Sequence, residues 1–174
     1  MTILTIHTAP DPVLKRVAEP VSKVDDALRK QMDDMLETMY HDKGIGLAAP
    51  QVGISNRVVV MDVDQTDEGE KGKALFMVNP EIIWESEELR IYNEGCLSVP
   101  EMYAEVERSD SVRIKYLDYD GAEQELEADG LLSTCIQHEI DHLNGVLFVD
   151  HLSSLKRNMI MRKLKKHLKM KEIL

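Results

Sequence analysis

The stretch Gln137 to His142, Gln-His-Glu-Ile-Asp-His, narrows the folds open to this chain more than any other. On a helix, residues four apart stack on one face, so His138 and His142 project together with Glu139 beside them. Two imidazoles in that relation grip one divalent ion, and the adjacent carboxylate is placed to exchange protons with a water on it. A catalytic site of this kind usually takes three protein ligands and leaves a further position open. The fold must therefore bring a third ligand to this helix from elsewhere in the chain.

The pattern around the stretch predicts an α+β fold. Asp129-Gly130 introduces the helix, Leu131, Cys135, His138 and His142 form its inward face, and Asn144-Gly145 ends it. Asp25 and Asp26 start an earlier helix, with Leu28, Met32, Met35, Leu36 and Met39 as its apolar stripe and Gly44 as its stop. Gly44 to Gln51 is a run of small residues with neither helical nor strand period. It suits either a tight turn or the close approach of a substrate. Short strands are expected over Arg57 to Val63, Ala74 to Asn79, Ile82 to Trp84 and Leu89 to Tyr92, with the polar loop Asp64 to Lys73 between the first two. Val112, Ile114 and Tyr116 alternate with polar residues, and Asp120-Gly121 turns the chain into a return strand near Gln124 to Glu127. Ser153-Ser154 caps a last, basic helix over about 153–173, whose expected buried stripe is Leu155, Met159, Ile160, Leu164 and Leu168. Mostly antiparallel sheets around a central metal-binding helix, flanked by an N-terminal and a C-terminal helix, are the expected architecture. No repeat or linker divides the chain, so residues 1–174 read as one domain.

Charge and cysteine usage limit the function classes. The net charge of −11 is unevenly spread: Lys156 to Leu174 hold eight basic residues and one acid, and the rest holds 13 basic and 31 acidic. An acidic body argues against general nucleic-acid binding, whereas the basic tail could touch a polyanion locally. Two cysteines, Cys96 and Cys135, are too few for a disulfide framework and suit a reducing compartment. No secretory signal or membrane-spanning run is legible, so a cytoplasmic protein is expected.

Candidates for the third ligand differ in quality. Metzincin proteases continue with a Gly and then a third His; Gly145 fits, but Phe148 stands where that His belongs. Thermolysin-like enzymes take a downstream glutamate, and only Glu172 is available there. His151 lies past the helix end and reads better as a surface or capping residue. Upstream, Cys96 sits in Glu94-Gly95-Cys96-Leu97-Ser98-Val99-Pro100, a constrained non-helical mount, and a thiolate suits Zn²⁺ or Fe²⁺.

Gly-Ile-Gly-Leu-Ala-Ala-Pro-Gln at 44–51, Glu-Gly-Cys-Leu-Ser at 94–98 and Gln-His-Glu-Ile-Asp-His at 137–142 together resemble the peptide deformylases, in order, spacing and overall length. The resemblance implies a metal-dependent hydrolase that removes the N-formyl group from formyl-methionine on new proteins and releases formate. It implies Cys96, His138 and His142 as metal ligands, Glu139 as general acid/base, and Gln51 with the backbone N–H of Leu97 as oxyanion donors. Ile45, Leu131 and Cys135 are the implied walls of the methionine pocket. Gly46, Glu94 and Gly95 are further substrate-binding positions, and Arg108 resembles a position that contacts the peptide backbone. Fe²⁺ is the implied natural ion, with Zn²⁺, Ni²⁺ or Co²⁺ able to replace it. The implied partners are formyl-methionyl nascent chains and, through the basic helix, the ribosome; no membrane or sequence-specific nucleic acid is expected, and the chain should be a monomer. An HExxH metalloprotease and a non-catalytic metal-binding module are the alternatives; the first lacks a downstream ligand and the second has no use for Glu139 or Gln51.

Overall fold

The computed structural model describes residues 2–173. Helix α1 spans Asp26–His41, α2 spans Gly130–Leu143 and α3 spans Ser154–Ile173. The strands are β1 (Gly46–Ala48), β2 (Val58–Met61), β3 (Leu75–Glu85), β4 (Leu89–Cys96), β5 (Val99–Ser109), β6 (Ser111–Leu117) and β7 (Glu123–Asp129). They form an antiparallel five-stranded sheet in the order β1-β2-β3-β6-β7 and a separate β4-β5 hairpin. The α+β architecture expected from the sequence is present.

The four apolar residues of β2 show how the core is built. Successive side chains of a strand point to opposite faces. Val58 and Val60 pack under α1 with Leu28, Met32, Met35 and Met39, while Val59 and Met61 pack under α2 with Ile136, Ile140 and Leu143. A strand covered on both faces needs an unbroken apolar run, and Val-Val-Val-Met supplies one. Asp25 caps α1 by accepting from the Leu28 N–H at 2.9 Å. The helix stops at His41, and the Gly44 N–H closes on the Met39 carbonyl at 2.9 Å.

Helix α2 lies inside the molecule. From Ser133 to Leu143 every residue but Asp141 is buried, so the expected inward face is one part of a helix enclosed on nearly all sides. Phe148, which breaks the metzincin pattern, is 1 % exposed and belongs to a third apolar cluster with Leu14, Val99, Val106 and Leu164.

Three expectations need correction. The two strands read at Ala74 to Asn79 and Ile82 to Trp84 are one strand, β3. It continues through Asn79-Pro80 by a register shift between Val78 and Glu81, where proline's missing N–H is tolerated, and Asn79 at φ 52° is pinned by side-chain bonds to both backbone groups of Val21. The run Gly44 to Gln51 contains a strand, β1, followed by one 3₁₀ turn at Ala49–Val52. On α3, Leu155 is 69 % and Met159 43 % exposed; the covered seam is Ile160, Met161, Leu164 and Leu168.

Candidate metal centre and catalytic cleft

Cys96 closes β4, and only Leu97 and Ser98 separate it from its pairing partner Val99 on β5. That two-residue turn presents the thiol to α2. The Cys96 Sγ lies 3.3 Å from His142 Nε2, and the His138 and His142 ring centroids are 5.0 Å apart. One ligand atom from each of Cys96, His138 and His142 lies within 4.8 Å of the others, the only such group of three metal-binding side chains among the described residues. One thiolate and two imidazoles form a donor set suited to a borderline transition-metal ion.

The surroundings orient these ligands. His138 Nδ1 meets Glu94 Oε1 at 2.9 Å, which leaves Nε2 as the ring nitrogen that could face an ion. Glu94 in turn accepts from Arg108 Nε at 2.7 Å and Nη2 at 3.0 Å, while Arg108 Nη1 donates to Asp141 at 2.8 Å and Asp141 meets His151 Nε2 at 2.8 Å. Phe148 stacks on the His138 ring at 6.2 Å. Burial alone would raise the Glu94 and Asp141 carboxyls, but the bonds from His138, His151 and Arg108 outweigh it and hold both below their ordinary range. Burial would lower His138, yet its bonds to Cys96 and Glu94 hold it well above the usual imidazole value; burial and the neighbouring His138 charge push His142 well below.

Glu139 is 3 % exposed, and its Oε1 has no partner. Burial pushes its carboxyl up to about 7, where a carboxyl both takes and gives protons near neutral pH. Gly46 makes this placement sterically feasible: a Cβ there would lie 2.4 Å from Glu139 Oε2 and 2.9 Å from Cys135 Sγ. Gln51, 1 % exposed, accepts from the Ala48 N–H at 2.9 Å and turns its amide toward Cys96 Sγ at 3.5 Å and Ser98 Oγ at 3.1 Å. Burial and the Glu139 carboxylate push the Cys135 thiol well up, so it stays protonated and faces the Ile45 carbonyl instead of joining the ligand group.

A cleft of about 810 Å³ opens beside these groups. Ile45, Gly46, Gln51, Glu94, Gly95, Cys96, Leu97, Leu131, Cys135, His138 and Glu139 all line it, as does Tyr103, which the sequence reading did not single out. Tyr103 lies on β5, opposite Gly95. His142 sits behind the lining. Arg108 is the exception to the expected set: its side chain is 5 % exposed and its guanidinium is used by Glu94 and Asp141, so the expectation that it touches a bound peptide does not fit its position. Asp141, which meets Arg108, and His151, which meets Asp141, complete this chain of bonds through the fold, and no local spacing marks either role.

The polypeptide deformylase family model matches residues 3–158. The chain belongs to the polypeptide deformylase family. Its curated relatives include the peptide deformylases of Phenylobacterium zucineum, 56 % identical over 97 % of this chain and 99 % of that protein, and Bartonella tribocorum, 53 % identical over 98 % and 96 %. The crystal structure of a peptide deformylase from Legionella pneumophila superposes with a TM-score of 0.91 at 44 % identity, covering 98 % of both chains. That from Ehrlichia chaffeensis superposes with a TM-score of 0.92 at 41 % identity, covering 98 % of this chain and 99 % of the other. This deformylase is thus a metal-dependent hydrolase that removes N-formyl groups from new peptides, with Cys96, His138 and His142 as its metal-binding group. Among the described residues, no helix is long and apolar enough to cross a membrane.

Proposed function

We propose that hydrolysis is divided among the cleft residues as follows. Cys96, His138 and His142 hold one divalent ion, Fe²⁺ in the cell, with Zn²⁺, Ni²⁺ or Co²⁺ able to take its place. When bound, the ion supplies Lewis acidity, lowering the pKa of water and polarising the formyl carbonyl. Glu139 takes the proton of the attacking water and delivers it to the departing amine nitrogen. Gln51 and the backbone N–H of Leu97 donate to the oxygen on which charge develops. Ile45, Leu131 and Cys135 form the apolar wall for the methionine side chain, with Gly46 and Gly95 leaving room for the peptide backbone. Glu94 serves the site by orienting His138.

The observation that carries this reading is the meeting of a thiol, two imidazoles and a buried carboxylate beside one cleft. The test is formate release from a formyl-methionyl peptide by protein purified without oxygen and loaded in turn with each of the four ions. The Fe²⁺ form should release formate; inactivity with every ion would sink the assignment. Gln51→Ala should lose about 2.7–4 kcal/mol of transition-state stabilisation while keeping its ion. Unchanged turnover would remove Gln51 from the oxyanion site.

We further propose that residues 1–174 act as one domain and as a monomer in the cytoplasm, since every group assigned to the site lies on this chain and its substrates are nascent proteins. The exposed cations Arg162, Lys163, Lys165, Lys166 and Lys169 on α3 suit docking on ribosomal RNA. Salt-sensitive co-sedimentation with ribosomes should weaken in the Lys165→Glu, Lys166→Glu double variant; no change would exclude docking by this face.

A further inference from the structure

The segment between β2 and β3 is gathered onto one buried carboxylate, and its backbone and one side-chain amide reach the cleft wall. Asp62, directly after β2, is 1 % exposed. Its carboxylate accepts from the Tyr40 hydroxyl at 2.6 Å, the Asp64 N–H at 3.1 Å and the Gly72 N–H at 2.9 Å. Both ends of the segment and the last turn of α1 therefore close on one group. A Cβ at Gly72 would lie 2.6 Å from Asp62 Oδ1 and 2.5 Å from the Asp64 Cβ, so this closure requires glycine.

The strap so formed reaches the cleft wall twice. The Asp62 N–H donates to the Ile45 carbonyl at 2.9 Å, and Gln65 Nε2 donates to the Gly44 carbonyl at 3.0 Å while also donating to the Asp62 carbonyl at 2.9 Å. The carbonyls of Gly44 and Ile45, in the two planar peptide units that flank the Ile45 Cα, are thus both held, which restricts φ and ψ of Ile45 and with them the direction in which its side chain leaves the backbone. Packing does not hold that side chain by itself: Ile45 is 38 % exposed. Its position at the cleft depends on the backbone clamp.

We propose that Gln65 is a specificity-setting positioning residue, whose amide fixes the Gly44–Ile45 peptide and thereby the width of the pocket that receives the first side chain of the formyl peptide. The inference rests on the reading of Ile45 as pocket wall. The test uses the ion-loaded enzyme and two peptides that differ only in beginning with formyl-Met or formyl-Ala. Gln65→Glu keeps the shape of the side chain but cannot donate; Gln65→Ala removes both. Each variant should raise KM for the formyl-Met peptide about fivefold, the effect of one lost hydrogen bond, and narrow the preference for Met over Ala by a similar factor. kcat on the Met peptide and ion content should stay at wild-type values in Gln65→Glu. A Gln65→Glu variant with wild-type KM and preference would show that shape alone matters and would overturn the proposal. Ile45→Ala separates the two layers: narrowed preference there with unchanged Gln65 variants defeats only the clamp, whereas unchanged preference in Ile45→Ala defeats the pocket reading and the clamp with it.

Discussion

Helices α2 and α3 both present apolar residues at helical spacing, but the molecule uses them in opposite ways. In α2 the residues from Ser133 onward are buried except Asp141, including His138, Glu139 and His142, whereas in α3 only Leu164 is buried along a helix of 20 residues. Polar groups inside a protein are expensive unless paired, so α2 is accompanied by a chain of bonds running from His138 through Glu94, Arg108 and Asp141 to His151. Charges on α3 remain in water and need no such partners. A helix that houses chemistry is thus bound tightly to distant parts of the sequence, while a helix that presents charge is attached by a narrow seam.

The contrast is sharpest at Glu139. Glu139→Gln keeps size and burial but removes the proton shuttle, so turnover should fall about 10²–10⁴-fold with ion content unchanged. Wild-type turnover in that variant would mean α2 only holds the ion. Next in size is Arg108→Met. Removing the cation leaves Glu94 buried and Asp141 half-buried without the guanidinium they share, a loss of about 3–5 kcal/mol in a denaturant titration. The same network predicts a pH dependence. Both carboxyls sit below their unfolded values, so their contribution is complete above about pH 4, the ordinary carboxylate range, and is lost as pH falls through the lower folded values. In Arg108→Met the carboxyls are no longer held down, so the variant should lose less stability than wild type as pH falls below about 4 and the gap between the two should narrow; a gap that stays constant with pH would contradict the pairing.

On α3 the expected effects are smaller and more local. Leu164→Ala should cost about 2–5 kcal/mol, because it empties a buried site against Leu14, Phe148 and Val106. Leu155→Ala should change Tm little, within about 0.5 kcal/mol, since that side chain is already in water. Equal effects at the two leucines would restore the broader stripe that helical spacing alone suggests.

That pair of leucines also shows where sequence reading loses its grip. Spacing identified α3 and its seam at Ile160, Leu164 and Leu168, but not that Leu155 and Met159 stand clear of the body, because helical periodicity does not say where along its length a helix is covered. The metal group was legible because His138 and His142 share one local element and Cys96 lies in a constrained turn. The β6-β7 hairpin was legible from its alternation and its Asp-Gly turn. β5 was not read as a strand: Glu101, Glu105 and Glu107 fill three of its four exposed positions, and acids are poor strand formers. That omission hid Arg108, which lies directly opposite Arg90 in the β4-β5 register, 14 residues beyond the Glu94 it pairs with. Without the hairpin, nothing local distinguishes a buried arginine that orients a ligand from one that meets substrate.

The two cysteines offer the most direct measurement, because both line the cleft yet are assigned opposite roles. Ion content should be determined for wild type, Cys96→Ala and Cys135→Ala purified side by side without oxygen. One ion per chain is expected in wild type and in Cys135→Ala, and none in Cys96→Ala. Full retention of the ion in Cys96→Ala would contradict the account, since the thiol on the β4-β5 turn would then not be the third ligand.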